Sequence, residues 1–285
     1  MKYQLGLIGH PVSQSLSPPM HEAALLHFGL EGSYELFDIE TAQLGERVKS
    51  LVAGGITGFN ITVPHKTSIF EMCSERSAKA TASGAVNTVV VHGSKLSGYN
   101  TDIEGFKVAL QSAYDRESLV GLSVGIIGAG GAARAALLAL EELKPKHILL
   151  FARNSGKAAE MLKTVAVTTP VLVKSLPSTR IDEPLGAVIQ TTSIGLQGDN
   201  EAYNWLAWFD QGRDDQLFFD MVYSHNGKPT PLVEYFSQRG VRAVDGTDML
   251  VHQARYSFQF WTGQLPPFEV MKSALVAARQ ARASQ

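Results

Sequence analysis

The 285-residue sequence predicts an α/β protein of two domains. Short apolar runs alternate with helical patterns from the first residues onward, and the alternation starts afresh at Ser123. The restart opens on a glycine-rich turn between a strand and a helix. The first domain is expected over residues 1–102 and again over 246–285, the second over 103–245.

In the first domain, runs near 3–8, 34–39, 56–61 and 86–91 read as strands, and 18–29, 41–53 and 65–72 as helices. That order implies a mostly parallel sheet. Val89 to Gly98 reads as a hairpin turning on Gly93-Ser94, which adds an antiparallel element. Asn100-Thr-Asp102 precedes a helical run from Ile103 to Tyr114, with Asp or Thr able to cap it, that bridges into the second domain. There the pattern runs strand Val124–Ile127, helix Ala132–Leu143, strand His147–Phe151, helix near 155–164 and strand Val171–Val173. Strands at Ala187–Gln190, Leu217–Asp220 and Val241–Val244 follow, completing a doubly wound sheet of Rossmann type. Two last helices, about Met249–Trp261 and Phe268–Arg282, are placed to return to the first domain.

A net charge of -2 and a pI near 6.4 give no electrostatic footprint for nucleic acid or anionic lipid. No apolar run approaches the roughly 18–20 residues of a membrane span, and the N-terminal residues read as a first strand rather than a signal peptide. Cys73 is the only cysteine, which rules out an internal disulfide and reads as a small buried hydrophobe. The expected location is the cytoplasm. A small molecule is the expected partner, with no nucleic acid and no membrane, for a chain acting as monomer or homodimer. No metal is called for: His-Glu-x-x-His and Cys-x-x-Cys spacings are absent, and His65, His92 and His252 read as structural. Phe258, Phe260 and Trp261 read as core.

The glycine turn, Gly125 to Arg134, carries glycines at 128, 130 and 131 and alanine at 133 between strand and helix. Bare backbone there lets a pyrophosphate approach the helix N-terminus. At the end of the next strand a carboxylate would meet the ribose hydroxyls of NAD, but the chain reads Leu150-Phe-Ala-Arg-Asn-Ser-Gly-Lys157. Arg153 and Lys157 suit a 2'-phosphate instead, so NADP is the expected cofactor. The same two cations also fit an exposed helix start.

The first domain holds a second polar pattern. Gly58-Phe-Asn-Ile-Thr-Val-Pro-His-Lys66 sets Asn60, Thr62 and Lys66 around a strand end and a helix-starting proline, as if to face a small polar ligand. Lys66 falls in the first helical turn, where the helix dipole favours the neutral amine. Ser15 and Ser17 share one side of a loop before Pro18. Ser17 also fits a helix cap, a role that Ser15 has no need to fill. Asn87 interrupts an apolar strand with an amide that must find partners if buried. Asp102 fits either a cap or a functional carboxylate. Hydroxyls, amide, ammonium and carboxylate ahead of a dinucleotide fold suggest a polyol site facing a nicotinamide.

These blocks, together with Gly98-Tyr-Asn-Thr-Asp102, Asp220-Met-Val-Tyr223 and Asp245-Gly-Thr-Asp-Met-Leu-Val-His-Gln-Ala254, resemble the shikimate dehydrogenase family in order and over nearly the whole chain. The resemblance implies that Ser15, Ser17, Thr62, Asn87 and Gln253 hold the substrate's carboxylate and hydroxyls, with Tyr223 near nicotinamide and substrate. It implies Lys66 and Asp102 as the catalytic pair. Gly128, Ala129, Gly130, Gly131, Ala132, Arg153, Lys157, Met221 and Gly246 would line the NADP site, with Thr192-Ser193 along its floor. Two positions depart from the family: Glu22 stands where Asn is frequent, and Ala152 where an Asn usually precedes the arginine, which weakens a contact to the cofactor's phosphate.

The implied reaction is reversible, NADP-dependent reduction of 3-dehydroshikimate to shikimate in chorismate biosynthesis, with hydride transfer at C3 and Lys66 and Asp102 handling the proton. The alternatives are a quinate or aminoshikimate dehydrogenase on the same scaffold and a noncatalytic NADP-sensing module. The paired serines favour shikimate, because quinate's extra C1 hydroxyl needs room beside the carboxylate.

Overall fold

The computed structural model describes residues 2–114, 119–176, 181, 183–194, 209 and 215–283. It divides into two compact units, one of Met1–Gly105, His225–Gly227 and Val251–Gln285, the other of Phe106–Ser224 and Lys228–Leu250.

The first unit begins β1 (Tyr3–Gly9), α1 (Ser17–His27), β2 (Gly32–Asp38), a 3-10 turn (Thr41–Gln43), α2 (Leu44–Ala53) and β3 (Gly58–Ile61). It continues with α3 (Lys66–Met72), β4 (Glu75–Arg76), α4 (Ala78–Ser83), β5 (Thr88–His92), β6 (Lys95–Tyr99) and the start of α5 (Asp102–Tyr114). Its sheet runs β2-β1-β3-β5-β6-β4. The β1–β2, β1–β3 and β4–β6 pairs are parallel, while β5 runs antiparallel to both β3 and β6.

Alternation along the strands sorts the core onto two faces. Ile8, Phe59, Ile69 and Val89 pack on one side with Val48 of α2, and Leu5, Leu7, Tyr34 and Val90 on the other. Cys73 joins the first cluster, where burial pushes its thiol up to about 11 against the opposing charge of Arg76. Pro64 stands two residues ahead of α3 rather than inside it, after a cis peptide bond, so Lys66 is the first helical residue.

His21, on α1, is fully buried and stacks on Tyr34 with ring centroids 4.4 Å apart. Neither of its ring nitrogens has a hydrogen-bond partner among the described residues. Burial lowers its pKa to about 3, with nearby Asn60 acting weakly the other way. The unfolded chain therefore takes up a proton below the ordinary value of 6.5 that the native state refuses until about 3. Stability is lost as pH falls through that window, by about 2 kcal/mol at pH 5. His21→Phe is expected to lose less stability than the parent between pH 7 and pH 5 in urea titrations, and equal losses would refute the assignment.

The second unit carries the rest of α5, then β7 (Ser123–Ile127), α6 (Gly131–Leu143), β8 (His147–Ala152), α7 (Ser155–Leu162) and β9 (Val171–Ser175). β10 (Leu185–Gln190), β11 (Leu217–Asp220), α8 (Pro231–Ser237) and β12 (Arg242–Val244) follow. All neighbours in its sheet, β12-β11-β10-β7-β8-β9, are parallel. Read by order within the unit this is 3-2-1-4-5-6 from the other edge, the Rossmann arrangement. Every residue of β7 and β10 is buried, as strands covered on both faces require.

α9 (Thr247–Thr262) leads back, and α10 (Phe268–Ala283) packs against α1. The Arg282 guanidinium donates to the Gln14 and Ser15 carbonyls at 2.9 and 3.0 Å. Phe258 and Trp261 are core, but Phe260 is 45% exposed and stacks on Tyr99. Two residues along a helix is a turn of about 200°, so 258 and 260 cannot share a buried face. No described helix is long and apolar enough to cross a membrane.

Candidate active site

In the first unit, Lys66, Asp102, Asn87 and Asn60 sit on a continuous polar network. Lys66 Nζ lies 2.6 Å from Asp102 Oδ2, with side-chain exposures of 29% and 10%. Asn87 donates from Nδ2 to the other carboxylate oxygen, Oδ1, at 2.8 Å. The orientation of that amide is fixed by chemistry: its Oδ1 meets the backbone N–H of Thr101 at 2.8 Å, a group that can only donate. Asp102 is the first residue of α5, yet its carboxylate does not cap the helix. Asn100 Oδ1 accepts the Asp102 N–H at 3.1 Å, which leaves both carboxylate oxygens for Lys66 and Asn87.

Asn60 has a different task from the one its position suggested. Its Oδ1 accepts from the Tyr34 hydroxyl at 2.9 Å, and its Nδ2 reaches the Asn87 carbonyl, Thr88 Oγ1 and Ser257 Oγ. That amide has its N–H groups and one lone pair engaged, and it ties β3 to β5 and α9. Burial raises the pKa of the Tyr34 phenol, with the adjacent Ser17 side chain opposing.

The two serines also exchange parts. Ser15 Oγ accepts the Ser17 N–H at 3.2 Å, whereas Ser17, already helical, makes no capping bond. Thr62 follows the end of β3, half-buried, its N–H bonded to the Ile8 carbonyl. Gln253 lies half-buried on α9, one turn before Ser257. His65 is buried and donates from Nε2 to the Ile39 carbonyl at 2.6 Å, a structural role.

In the second unit, the glycine turn joins β7 to α6. Gly128 takes φ +113°, and a Cβ there would collide with Thr191 and Thr192. Thr191 Oγ1 in turn donates to the Ile127 carbonyl at 2.7 Å. Gly130 and Gly131 are exposed, nothing lies where their side chains would point, and no side chain caps α6. An uncapped N-terminus with open backbone fits a pyrophosphate. Ala129 and Ala132 flank it, half-buried.

At the end of β8, Ala152 is buried and Asn154 caps α7 by accepting the Lys157 N–H at 2.9 Å. Arg153 and Lys157 are exposed, and among the described residues neither side chain forms an ion pair. Two free cations and no carboxylate fit a 2'-phosphate. Thr192 Oγ1 accepts the Ile194 N–H, and Ser193 lies beside it. Gly246 packs so tightly on the Met221 carbonyl that no Cβ fits. Tyr223 is half-buried after β11, in this unit rather than with the serines. Nearby, burial pushes Asp220 up to about 7 despite bonds from Thr230 and the Val222 N–H, with Asp245 adding to the rise.

Tyr34, Asn100, Thr88, Thr101 and Ser257 are among the network members that sequence reasoning missed. Thr88 and Thr101 each adjoin a residue that was identified, but Ser257 gave no signal beyond a polar residue on an aromatic-rich helix.

A doubly wound sheet with a bare glycine turn defines the class, an α/β protein of the dinucleotide-binding kind. Residues 7–89 match the shikimate dehydrogenase substrate binding domain, and residues 246–276 the shikimate 5'-dehydrogenase C-terminal domain. The chain is 40% identical over 278 residues to the NADP(+) shikimate dehydrogenase of Bacillus licheniformis, covering 97% of each. The crystal structure of shikimate dehydrogenase from Aquifex aeolicus superposes with a TM-score of 0.87 at 30% identity, covering 96% of this chain and 97% of that one. Quinate dehydrogenase from Corynebacterium glutamicum, in complex with NAD, gives 0.85 at 26% identity, covering 97% and 99%. The chain belongs to the shikimate dehydrogenase family.

Proposed function

We propose that the chain catalyses the reversible, NADP-dependent interconversion of 3-dehydroshikimate and shikimate, a step toward the aromatic amino acids. The observation that carries the chemistry is the 2.6 Å contact of Lys66 with Asp102, whose second carboxylate oxygen is held by Asn87. The cofactor, when bound, supplies or accepts the hydride at C3. Lys66 then moves the proton at the C3 oxygen, and Asp102 hydrogen-bonds the same oxygen or the lysine. Ser15 and Ser17 hold the substrate carboxylate. Thr62, Asn87, Tyr223 and Gln253 hold the ring hydroxyls and set which face meets the nicotinamide. Gly128–Ala132, Thr192, Met221 and Gly246 seat the dinucleotide, and Arg153 with Lys157 selects its 2'-phosphate. We place the enzyme in the cytoplasm, where its single thiol stays reduced, as a monomer or homodimer.

The likeness to a quinate dehydrogenase that holds NAD makes that activity the second reading. Turnover on shikimate and quinate with NADP and NAD separates the two. The proposal expects shikimate with NADP to have the highest kcat/KM. Preference for quinate or for NAD overturns the specificity, and NADPH binding with no turnover on either polyol overturns the activity.

A further inference from the structure

We propose that Ser257 is a positioning residue for the Lys66–Asp102 pair, holding the Asn87 amide that donates to Asp102. The inference rests on the proposed reaction and deepens it. Ser257 is fully buried on α9, where a hydroxyl is costly unless bonded. Its Oγ donates to the Gln253 carbonyl at 3.0 Å and lies 2.9 Å from Asn60 Nδ2, whose two hydrogens go to the Asn87 carbonyl and Thr88 Oγ1. It also lies 2.7 Å from Thr88 Oγ1 and 3.2 Å from Thr101 Oγ1.

Thr101 holds Asn87, and Thr88 lies beside it. Thr101 Oγ1 receives one of the amide's hydrogens at 2.9 Å, and the other goes to Asp102. Thr88 Oγ1 lies 3.0 Å from Asn87 Oδ1. With its hydrogen committed to Gln253, Ser257 is an acceptor for the hydroxyl hydrogens of Thr88 and Thr101. Thr101 therefore keeps a lone pair facing Asn87 Nδ2, and the amide cannot rotate away from the carboxylate. Asn60 closes the circuit through the Asn87 carbonyl. One hydroxyl thus joins β3, β5, the start of α5 and α9, and the same α9 turn carries Gln253.

Losing Ser257 leaves the two threonine hydroxyls without that acceptor and lets Asn87 and Asp102 drift relative to Lys66. Ser257→Ala removes the oxygen with almost no change of volume. It is expected to lower kcat for shikimate oxidation by about tenfold, the scale of one net hydrogen bond in a buried network, while KM for shikimate and NADP stays within about threefold. Ser257→Thr, which keeps the hydroxyl, is expected to recover at least half of the parent kcat. A merely structural serine would lower Tm and leave kcat of the folded enzyme unchanged.

The measurements are steady-state kcat and KM with thermal melts for the parent, Ser257→Ala, Ser257→Thr and Lys66→Ala. If Ser257→Ala keeps parental kcat while Lys66→Ala is inactive, the positioning role is overturned and the reaction stands. If the parent does not oxidise shikimate, or Lys66→Ala matches it, the proposed reaction itself has failed. A folded Ser257→Thr as slow as Ser257→Ala also overturns the role, since the hydroxyl alone would then not suffice.

Discussion

Lys66→Ala is expected to lower kcat by about three orders of magnitude, the range in which a positioned proton-transfer group acts. The lysine is the first residue of α3 and is held by contact with Asp102 at 2.6 Å. Alanine removes the ammonium and leaves a carboxylate, 10% exposed, with Asn87 as its remaining partner among the polar contacts described above. Shikimate affinity should change by only a few-fold, because Ser15, Ser17, Thr62 and Gln253 are untouched. Lys66→Arg should not restore activity, since a guanidinium stays protonated and cannot take up the hydroxyl proton when the alcohol is oxidised. Steady-state kinetics with a separate binding titration checks this. Near-parental turnover in Lys66→Ala would show that the proton travels by another route.

How much of this was legible in the sequence depends on how local each signal is. The Rossmann unit was, because its central strands β7, β8, β10 and β11 are buried on both faces and read as mostly apolar runs ended by glycine or polar residues. Shorter elements were not. β4 is two exposed residues, α4 has six with no apolar stripe, and α8 is a short helix whose apolar pattern, Leu232, Val233 and Phe236, spans little more than one turn after the Thr230-Pro231 start.

In the polar site, residue types were legible and their assignments less so. Lys66, Asn87 and Asp102 do meet, yet Asn60 bonds inward, and it is Ser15 rather than Ser17 that accepts a backbone N–H at the start of α1. Both outcomes depend on partners outside any local window. Tyr34 is 26 residues from Asn60, and Ser257 is 197. A spacing rule can say that two polar side chains share a strand face. It cannot say that a third, from a returning helix, has already taken one of them.

Removing both cations at the end of β8 should change which cofactor the enzyme uses. In the double variant Arg153→Ala, Lys157→Ala, KM for NADP is expected to rise by about a hundredfold, since each charge-assisted bond to the 2'-phosphate contributes on the order of 1.5 kcal/mol at an exposed site. KM for NAD, which has a hydroxyl there, should stay within about threefold. The parent's preference for NADP is therefore expected to vanish without any new affinity for NAD, because no carboxylate stands at the end of β8 to receive the ribose hydroxyls.

Ionic strength provides an independent check on the same point. Both side chains are exposed, so their attraction for a doubly charged phosphate is screened over about 8 Å at 0.15 M salt. KM for NADP in the parent should rise with added salt, and that dependence should flatten in the double variant. If the variant keeps both its NADP preference and its salt dependence, the 2'-phosphate is bound elsewhere. The Ala152 position, where an amide is missing, would then have no bearing on cofactor choice, and selection would lie with groups nearer the glycine turn, such as Arg134, which bonds Thr164 at 2.7 Å from within α6.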